Sequence, residues 1–201
     1  MPRPPWNESY ASGQLPWDTG QPDPLLTEFV TSGGVLPSRT LEIGAGTGTN
    51  AIWMAEHGFD VLGVDVSPLA VERAHAKTEG RALRCRFATS DFLAAPPPDG
   101  PFQFVFDRGC FHVFDEPDER QQFAAQVAAA LAPGGLWLSL IGSSEGPARY
   151  GRSQKSKITS CDFGYRFGYR HQFALISASY AKLQMGMGLV SSLITLTFPY
   201  L

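Results

Sequence analysis

The feature that most constrains this chain is the run Leu41-Glu42-Ile43-Gly44-Ala45-Gly46-Thr47-Gly48-Thr49-Asn50. A short apolar segment, Thr40 to Ile43, runs into three glycines on alternate positions, and a helical pattern from Ala51 to His57 follows. A strand-to-helix junction of this kind needs residues that turn tightly and let a ligand approach the backbone. The spacing discriminates between ligands. A dinucleotide fingerprint of the form G-x-G-x-x-G needs its third glycine at position 49, which here is Thr49. The glycines instead stand at 44, 46 and 48, with an acid at 42. Val61 to Val64 reads as a second strand and ends on Asp65, 21 positions after Gly44. A carboxylate placed there can accept hydrogen bonds from both hydroxyls of a ribose.

The same alternation continues in both directions. Asp23-Pro24 has N-cap and first-turn chemistry for a helix through Leu25, Leu26, Phe29 and Val30, ended by Gly33-Gly34. Gly58 suits a left-handed cap after His57. Ser67-Pro68 opens a helix carrying Leu69, Val71 and Ala74. Ala82 to Phe87 and Phe102 to Phe106 read as third and fourth strands. A long helix, capped by Asp115 or Asp118, runs through Phe123, Ala124, Val127 and Leu131 to the breaker Pro133-Gly134-Gly135, and Leu136 to Ile141 is a fifth strand. Strands alternating with helices at this spacing predict a parallel sheet covered on both faces.

The form E-x-G-x-G-x-G resembles the first motif of class I methyltransferases. That resemblance implies S-adenosyl-L-methionine as cofactor, with the loop of Gly44, Gly46 and Gly48 around its amino-acid part and ribose, and Asp65 on the ribose hydroxyls. It also implies an acid for the adenine amino group beside an apolar contact after the third strand, which Asp91 and Phe92 match. Glu42 is expected to organise the loop near the cofactor's ammonium group. Asp107 ends the fourth strand, at the carboxyl edge where ligands of open α/β sheets bind. The implied fold is α/β and Rossmann-like, a mostly parallel seven-stranded sheet with helices on both faces.

The N-terminal segment carries Trp6, Tyr10 and Trp17 with Gly13, Pro16 and Asp18. Disordered tails are poor in aromatics, so this segment is expected to be ordered. One reading has the rings packing over the core. The other makes them a lid that shields a sulfonium cation and excludes water. The pattern from Trp6 to Asp18, then Pro22-x-Pro24-Leu25, together with Phe106-Asp107-Arg108-Gly109-Cys110-Phe111-His112, resembles the thiopurine methyltransferase-like group, which includes thiol and halide methyltransferases. The resemblance covers about residues 6 to 145. It implies that Trp6, Tyr10 and Trp17 line the cofactor site and that Arg108 stands in a position where an aromatic is common.

Composition narrows the partners. The 201 residues are 43% hydrophobic and 17% charged with a net charge of -3, values that fit one globular domain and offer no electrostatic footprint for nucleic acid. Cys85, Cys110 and Cys161 lie far apart, with no C-x-x-C pair, so neither a disulfide framework nor a metal site is expected, and the cytoplasm is the expected compartment. The first residues lack the apolar run of a secretory signal. Leu183 to Leu201 holds no charge, yet its glycines, serines, threonines and Pro199 favour a buried strand over a spanning helix. The chain therefore reads as one methyltransferase domain: a lid segment (1–22), a cofactor-binding core (23–145) and a divergent C-terminal part (146–201). In that last part acids almost vanish, only Asp162 standing against 7 basic residues. Strands are expected near Phe173 to Ile176 and Leu189 to Thr197, and Arg149-Tyr150 is placed to touch an acceptor.

A sulfonium donor is already activated, so the protein's work is to align the reacting atoms and keep water out. A thiol acceptor ionises near neutral pH and needs no strong base, whereas an oxygen or nitrogen acceptor requires one. Asp107, Arg108 and His112 are the catalytic candidates. Arg108 would favour an anionic acceptor, and His112 is equally readable as a helix-cap or core histidine. Cys110 reads as a small apolar residue near the pocket rather than a nucleophile. The expected function is methyl transfer to a small acceptor, a thiol or other soft nucleophile. The alternatives are a non-catalytic cofactor-binding module, suggested by the unusual tail, and an NAD-linked oxidoreductase, which Thr49 disfavours.

Overall fold

The computed structural model describes residues 5–95, 97, 99–142 and 171–177. Its elements alternate as the sequence predicts: α1 (Trp6–Ser12), α2 (Pro24–Thr31), β1 (Arg39–Ile43), α3 (Thr49–Glu56), β2 (Asp60–Asp65), α4 (Pro68–Thr78), β3 (Cys85–Thr89), β4 (Phe102–Arg108), α5 (Pro117–Ala130), β5 (Leu131–Gly142) and β6 (His171–Ser177). The sheet runs β3-β2-β1-β4-β5-β6. The first five strands are parallel to their neighbours, and β6 pairs antiparallel with β5. Six strands therefore stand among the described residues, where seven were expected. The strand near Phe173 to Ile176 is present as β6, and the one at Leu189 to Thr197 falls outside the described residues, as do Arg149, Tyr150 and Cys161.

The strand order reverses between β1 and β4, and this switch point fixes where a ligand can sit. The loops leaving β1 and β4 there go to opposite faces and part from one another. Both faces are filled. Leu26, Met54, Phe59, Val61, Phe104 and Phe106 build one apolar layer under α2 and α3, while Leu41, Ile43, Leu62, Val64, Phe123 and Trp137 build the other under α5. The alternation along each strand assigns its side chains: Leu41 and Ile43 go to one layer and leave Glu42 on the other face.

The capping chemistry holds at two helices and fails at one. Asp23 accepts from the Leu25 amide at 2.9 Å, and Ser67 from the Ala70 amide at 3.2 Å. The start of α5 differs from expectation: Glu116 is its N-cap, without a side-chain bond, and neither Asp115 nor Asp118 caps it. Pro117 sets the first turn there, which places the cap one residue before it. Strand β5 also begins earlier than Leu136, at Leu131, through an irregularity between Phe102 and Phe104 that absorbs Pro133 to Gly135.

Candidate active site

All three loop glycines adopt positive φ: 70° at Gly44, 56° at Gly46 and 78° at Gly48. Two of them are also pressed by neighbours. A Cβ on Gly46 would lie 2.9 Å from the Tyr10 hydroxyl, and one on Gly48 would lie 2.5 Å from the Phe87 ring. Glycine at these positions is thus required twice over, by backbone and by space. The Val64 carbonyl accepts from the Gly44 and Ala45 amides at 2.8 and 3.0 Å, pinning the start of the loop to the end of β2.

Asp65 completes the turn from the neighbouring strand. One oxygen accepts the Gly46 amide and the other the Ser67 amide, each at 2.8 Å. Each oxygen keeps lone-pair capacity for a further donor, and the side chain stays 8% exposed rather than sealed. Burial raises its pKa, with the Ser67 and Gly46 amides opposing. A pair of vicinal hydroxyls fits this donor-seeking edge.

Asp107 stands one residue before the end of β4, which runs on to Arg108, and in a different setting. It is wholly enclosed, accepting from the Phe111 amide at 3.0 Å and the Trp137 indole N–H at 2.8 Å. Burial pushes its pKa up to about 6 against those bonds. The carboxylate therefore clamps the loop after β4 onto β5. Cys110 lies in that loop against Gly44, whose hypothetical Cβ would stand 3.1 Å from the Cys110 Cβ. Burial, with Asp107, Asp65 and Asp91 nearby, holds the thiol well above its usual range, so it stays protonated.

The N-terminal segment crosses this edge as a strap. Trp17 meets Trp6 edge-on with centroids 5.5 Å apart and Tyr10 at 6.2 Å, and its indole N–H donates to the Tyr10 hydroxyl at 3.4 Å. Tyr10 is buried, its pKa pushed up to about 12 by that burial. Polar ties hold the strap at several points. The Asn7 side chain accepts from the Ser67 hydroxyl at 2.8 Å and the Leu69 amide at 3.2 Å, and Arg73 donates to the Tyr10 carbonyl at 2.7 Å. Thr47 of the glycine loop donates to Asp18 at 2.7 Å and accepts from Lys77. Arg108 donates to the Asp23 carboxylate at 2.6 Å and the Trp17 carbonyl at 3.0 Å.

The remaining candidates are dispersed. Phe92 packs on Phe123 inside the core, with centroids 5.1 Å apart, while Asp91 stays exposed at the end of the same strand-to-loop turn. His112 is exposed on a short 3-10 turn, Phe111–Val113, beside Gly109. Glu42 is sealed beneath the first turn of α3, and burial raises its pKa to about 8 despite the bond from Asn50 at 3.1 Å. Sequence reading missed Asn7, Asn50 and Arg73. Their signal was faint: two asparagines placed where better helix formers would serve, one beside Trp6 and one just after the glycine loop. A cleft of about 400 Å³ lies behind the loop, lined by Gly20, Pro22, Thr49, Trp53, Lys77 and Arg81 among others. It contains none of Asp65, Asp91 or Asp107, which stand at the carboxyl edge of the sheet.

Comparison with known proteins agrees with this geometry. A family described as a methyltransferase domain matches residues 40–135. A probable thiol methyltransferase 2 of Arabidopsis thaliana is 35% identical over 138 residues, covering 68% of this chain and 60% of that protein. Thiocyanate methyltransferase 1 of Brassica oleracea is 31% identical, with the same coverage of each chain. The matched region thus spans about three-fifths of the length of these curated relatives. A solved structure titled for conversion of a disulfide bond into a thioacetal group during echinomycin biosynthesis superposes with a TM-score of 0.56 at 32% identity, over 62% of this chain and 53% of that one. The Burkholderia thailandensis 1,6-didemethyltoxoflavin-N1-methyltransferase shares the fold, with a TM-score of 0.59 at 24% identity over 71% and 61% of the two chains. Residues 40–135 thus match a methyltransferase domain, and the chain is similar to class I S-adenosylmethionine-dependent methyltransferases. Within that class it is similar to the thiol methyltransferases.

Proposed function

We propose that this protein transfers a methyl group from S-adenosyl-L-methionine to a small acceptor, a thiol or a comparably soft nucleophile. The observation that carries the reading is the pairing of the Gly44-to-Gly48 loop with Asp65, whose two oxygens hold the loop and still have room for two hydroxyls. The similarity to a thiol methyltransferase supports the acceptor class.

When bound, the cofactor supplies an electrophilic methyl on a positively charged sulfur. The chain's own residues then have three tasks. Gly44, Gly46 and Gly48 admit the ligand against bare backbone, Asp65 takes the ribose hydroxyls, and Asp91 takes the adenine edge, with Phe92 supporting that turn from within the core. Trp6, Tyr10 and Trp17 form the lid, offering aromatic faces to a cation and excluding water. Asp107 is a positioning residue: it fixes the loop that presents Cys110 and His112. With its carboxylate spent on Trp137 and Phe111, the site offers little to deprotonate a weakly acidic oxygen or nitrogen. An acceptor that is already anionic at neutral pH suits such a site, and a thiolate does so. His112 stands exposed beside the same loop as a candidate for proton transfer with the acceptor. Among the described residues no helix is long and apolar enough to cross a membrane. A small-molecule partner and a cytoplasmic setting fit this reading.

Titration calorimetry separates the cofactor classes: S-adenosylhomocysteine should bind and NAD should not. A panel of thiols, halides, metalloids and phenols then tests the acceptor, with methylated thiol expected as the main product. Turnover confined to phenols would overturn the soft-nucleophile assignment, and tight NAD binding would overturn the cofactor.

A further inference from the structure

One side chain, Asn50, joins the glycine loop to the strap. Its amide nitrogen donates to Glu42 Oε1 at 3.1 Å, and its oxygen accepts from the Asp23 backbone N–H at 2.8 Å. Asp23 divides its own carboxylate in the same way: one oxygen caps α2 and the other receives Arg108. Arg108 ends the run on the Trp17 carbonyl. A continuous series of bonds therefore leads from a sealed acid under the loop to the backbone of the segment carrying the aromatic lid. The return path is short, since Trp17 touches Tyr10 and the Tyr10 hydroxyl rests over Gly46. The other carboxylate oxygen of Glu42 is buried without a partner, so the inner end of the series is held by Asn50 and the Ala51 amide alone.

We infer that Asn50 is a positioning residue that couples docking of the N-terminal strap to occupancy of the glycine loop. The inference rests on the cofactor reading above. Coupling of this kind is reciprocal: a ligand that orders the loop strengthens strap docking, and a docked strap strengthens the ligand by the same factor. A side-chain amide suits the task, because it must donate at one end and accept at the other. Alanine at this position would satisfy helix propensity better than asparagine, so a purely local helical role predicts no loss from Asn50→Ala.

The test measures S-adenosylhomocysteine affinity by calorimetry, and chymotrypsin cleavage after Tyr10 and Trp17 with and without that ligand, in the full chain. In the wild type the ligand should slow cleavage. Asn50→Ala should weaken binding about tenfold and remove the ligand's protection of the strap, with circular dichroism unchanged. Asn50→Asp keeps an acceptor for the Asp23 amide but loses the donor to Glu42. It should retain the strap's resting protection and lose the increment that ligand adds. Arg108→Gln, at the exposed end of the series, should weaken binding too, and the double variant with Asn50→Ala should lose no more than the larger single effect. Wild-type affinity and wild-type protection in Asn50→Ala would overturn the coupling and leave the cofactor reading intact. Absence of S-adenosylhomocysteine binding by the wild-type chain would overturn both.

Discussion

Two strand ends of this sheet carry an aspartate in the same sequence setting, and they have opposite fates. Asp65 is the last residue of β2 and Asp107 the last but one of β4, each following an apolar run and each at the carboxyl edge. Asp65 binds the Gly46 and Ser67 backbone amides and stays slightly exposed. Asp107 binds an indole and an amide inside the core and has none. The first is arranged to receive something; the second is already satisfied. An acid at a strand end is therefore a place for a ligand only where its partners leave it capacity, and the partner that consumed Asp107 is Trp137, thirty residues away on the next strand.

The comparison breaks most visibly by removing each acid. Asp107→Ala leaves the Trp137 N–H and the Phe111 amide without an acceptor in a dry site. It should cost about 3–5 kcal/mol of stability in denaturant unfolding, the range for breaking a buried charged network. Asp65→Ala should behave in the reverse sense. The Gly46 amide is half-buried and only the Ser67 amide is left in a dry site, so the loss of stability should be smaller than for Asp107→Ala, while S-adenosylhomocysteine affinity should fall by the ~1.5–3 kcal/mol of hydrogen bonds to a charged group. If Asp107→Ala were neutral for stability, or Asp65→Ala neutral for binding, the contrast drawn here would be wrong.

A finer effect follows from pH. Glu42 and Asp107 are raised to about 8 and about 6, from ordinary values of 4.5 and 3.8. Between those limits the folded chain binds more protons than the unfolded one, so stability is greatest at acid pH and falls as pH rises toward 8. Each group contributes a slope of at most ~1.4 kcal/mol per pH unit. Glu42→Gln, which keeps the shape and an acceptor for Asn50, should flatten the fall of thermal midpoint between pH 6 and 8. A profile in the variant as steep as the wild type's would assign that fall to other groups.

Much of the site was legible before any fold was known, and the reason is local. Gly44, Gly46 and Gly48 are dictated by backbone conformation, which a short window of sequence expresses directly, and Asp65 follows at a distance set by one helix and one strand. Asp23 and Ser67 announced their helices because capping is a contact between near neighbours. The cap of α5 was misplaced by one to two residues, because four acids flank Pro117 there and the proline selects the one before it. The strap was readable as aromatic and ordered, though not the way it is held: Asn7 reaches Ser67, Arg73 reaches Tyr10 and Arg108 reaches Asp23 across 60 to 85 positions. Arg108, expected to face an anionic acceptor, instead meets the strap.

What the sequence determined by itself is the alternating α/β order, the glycine turn after β1 and the acid that meets it from β2. Each is a matter of backbone geometry or of spacing along adjacent elements. What only the tertiary structure decided is which polar groups remain available. Asp107, Glu42 and Cys110 were chemically eligible in one dimension. In three, burial raises all of them, and Trp137 and Phe111 at Asp107, Asn50 at Glu42 and the acids around Cys110 turn them to holding the site together. Desolvation and partner choice act through space, so identical residue types at similar positions on two strands came to differ in what they can do.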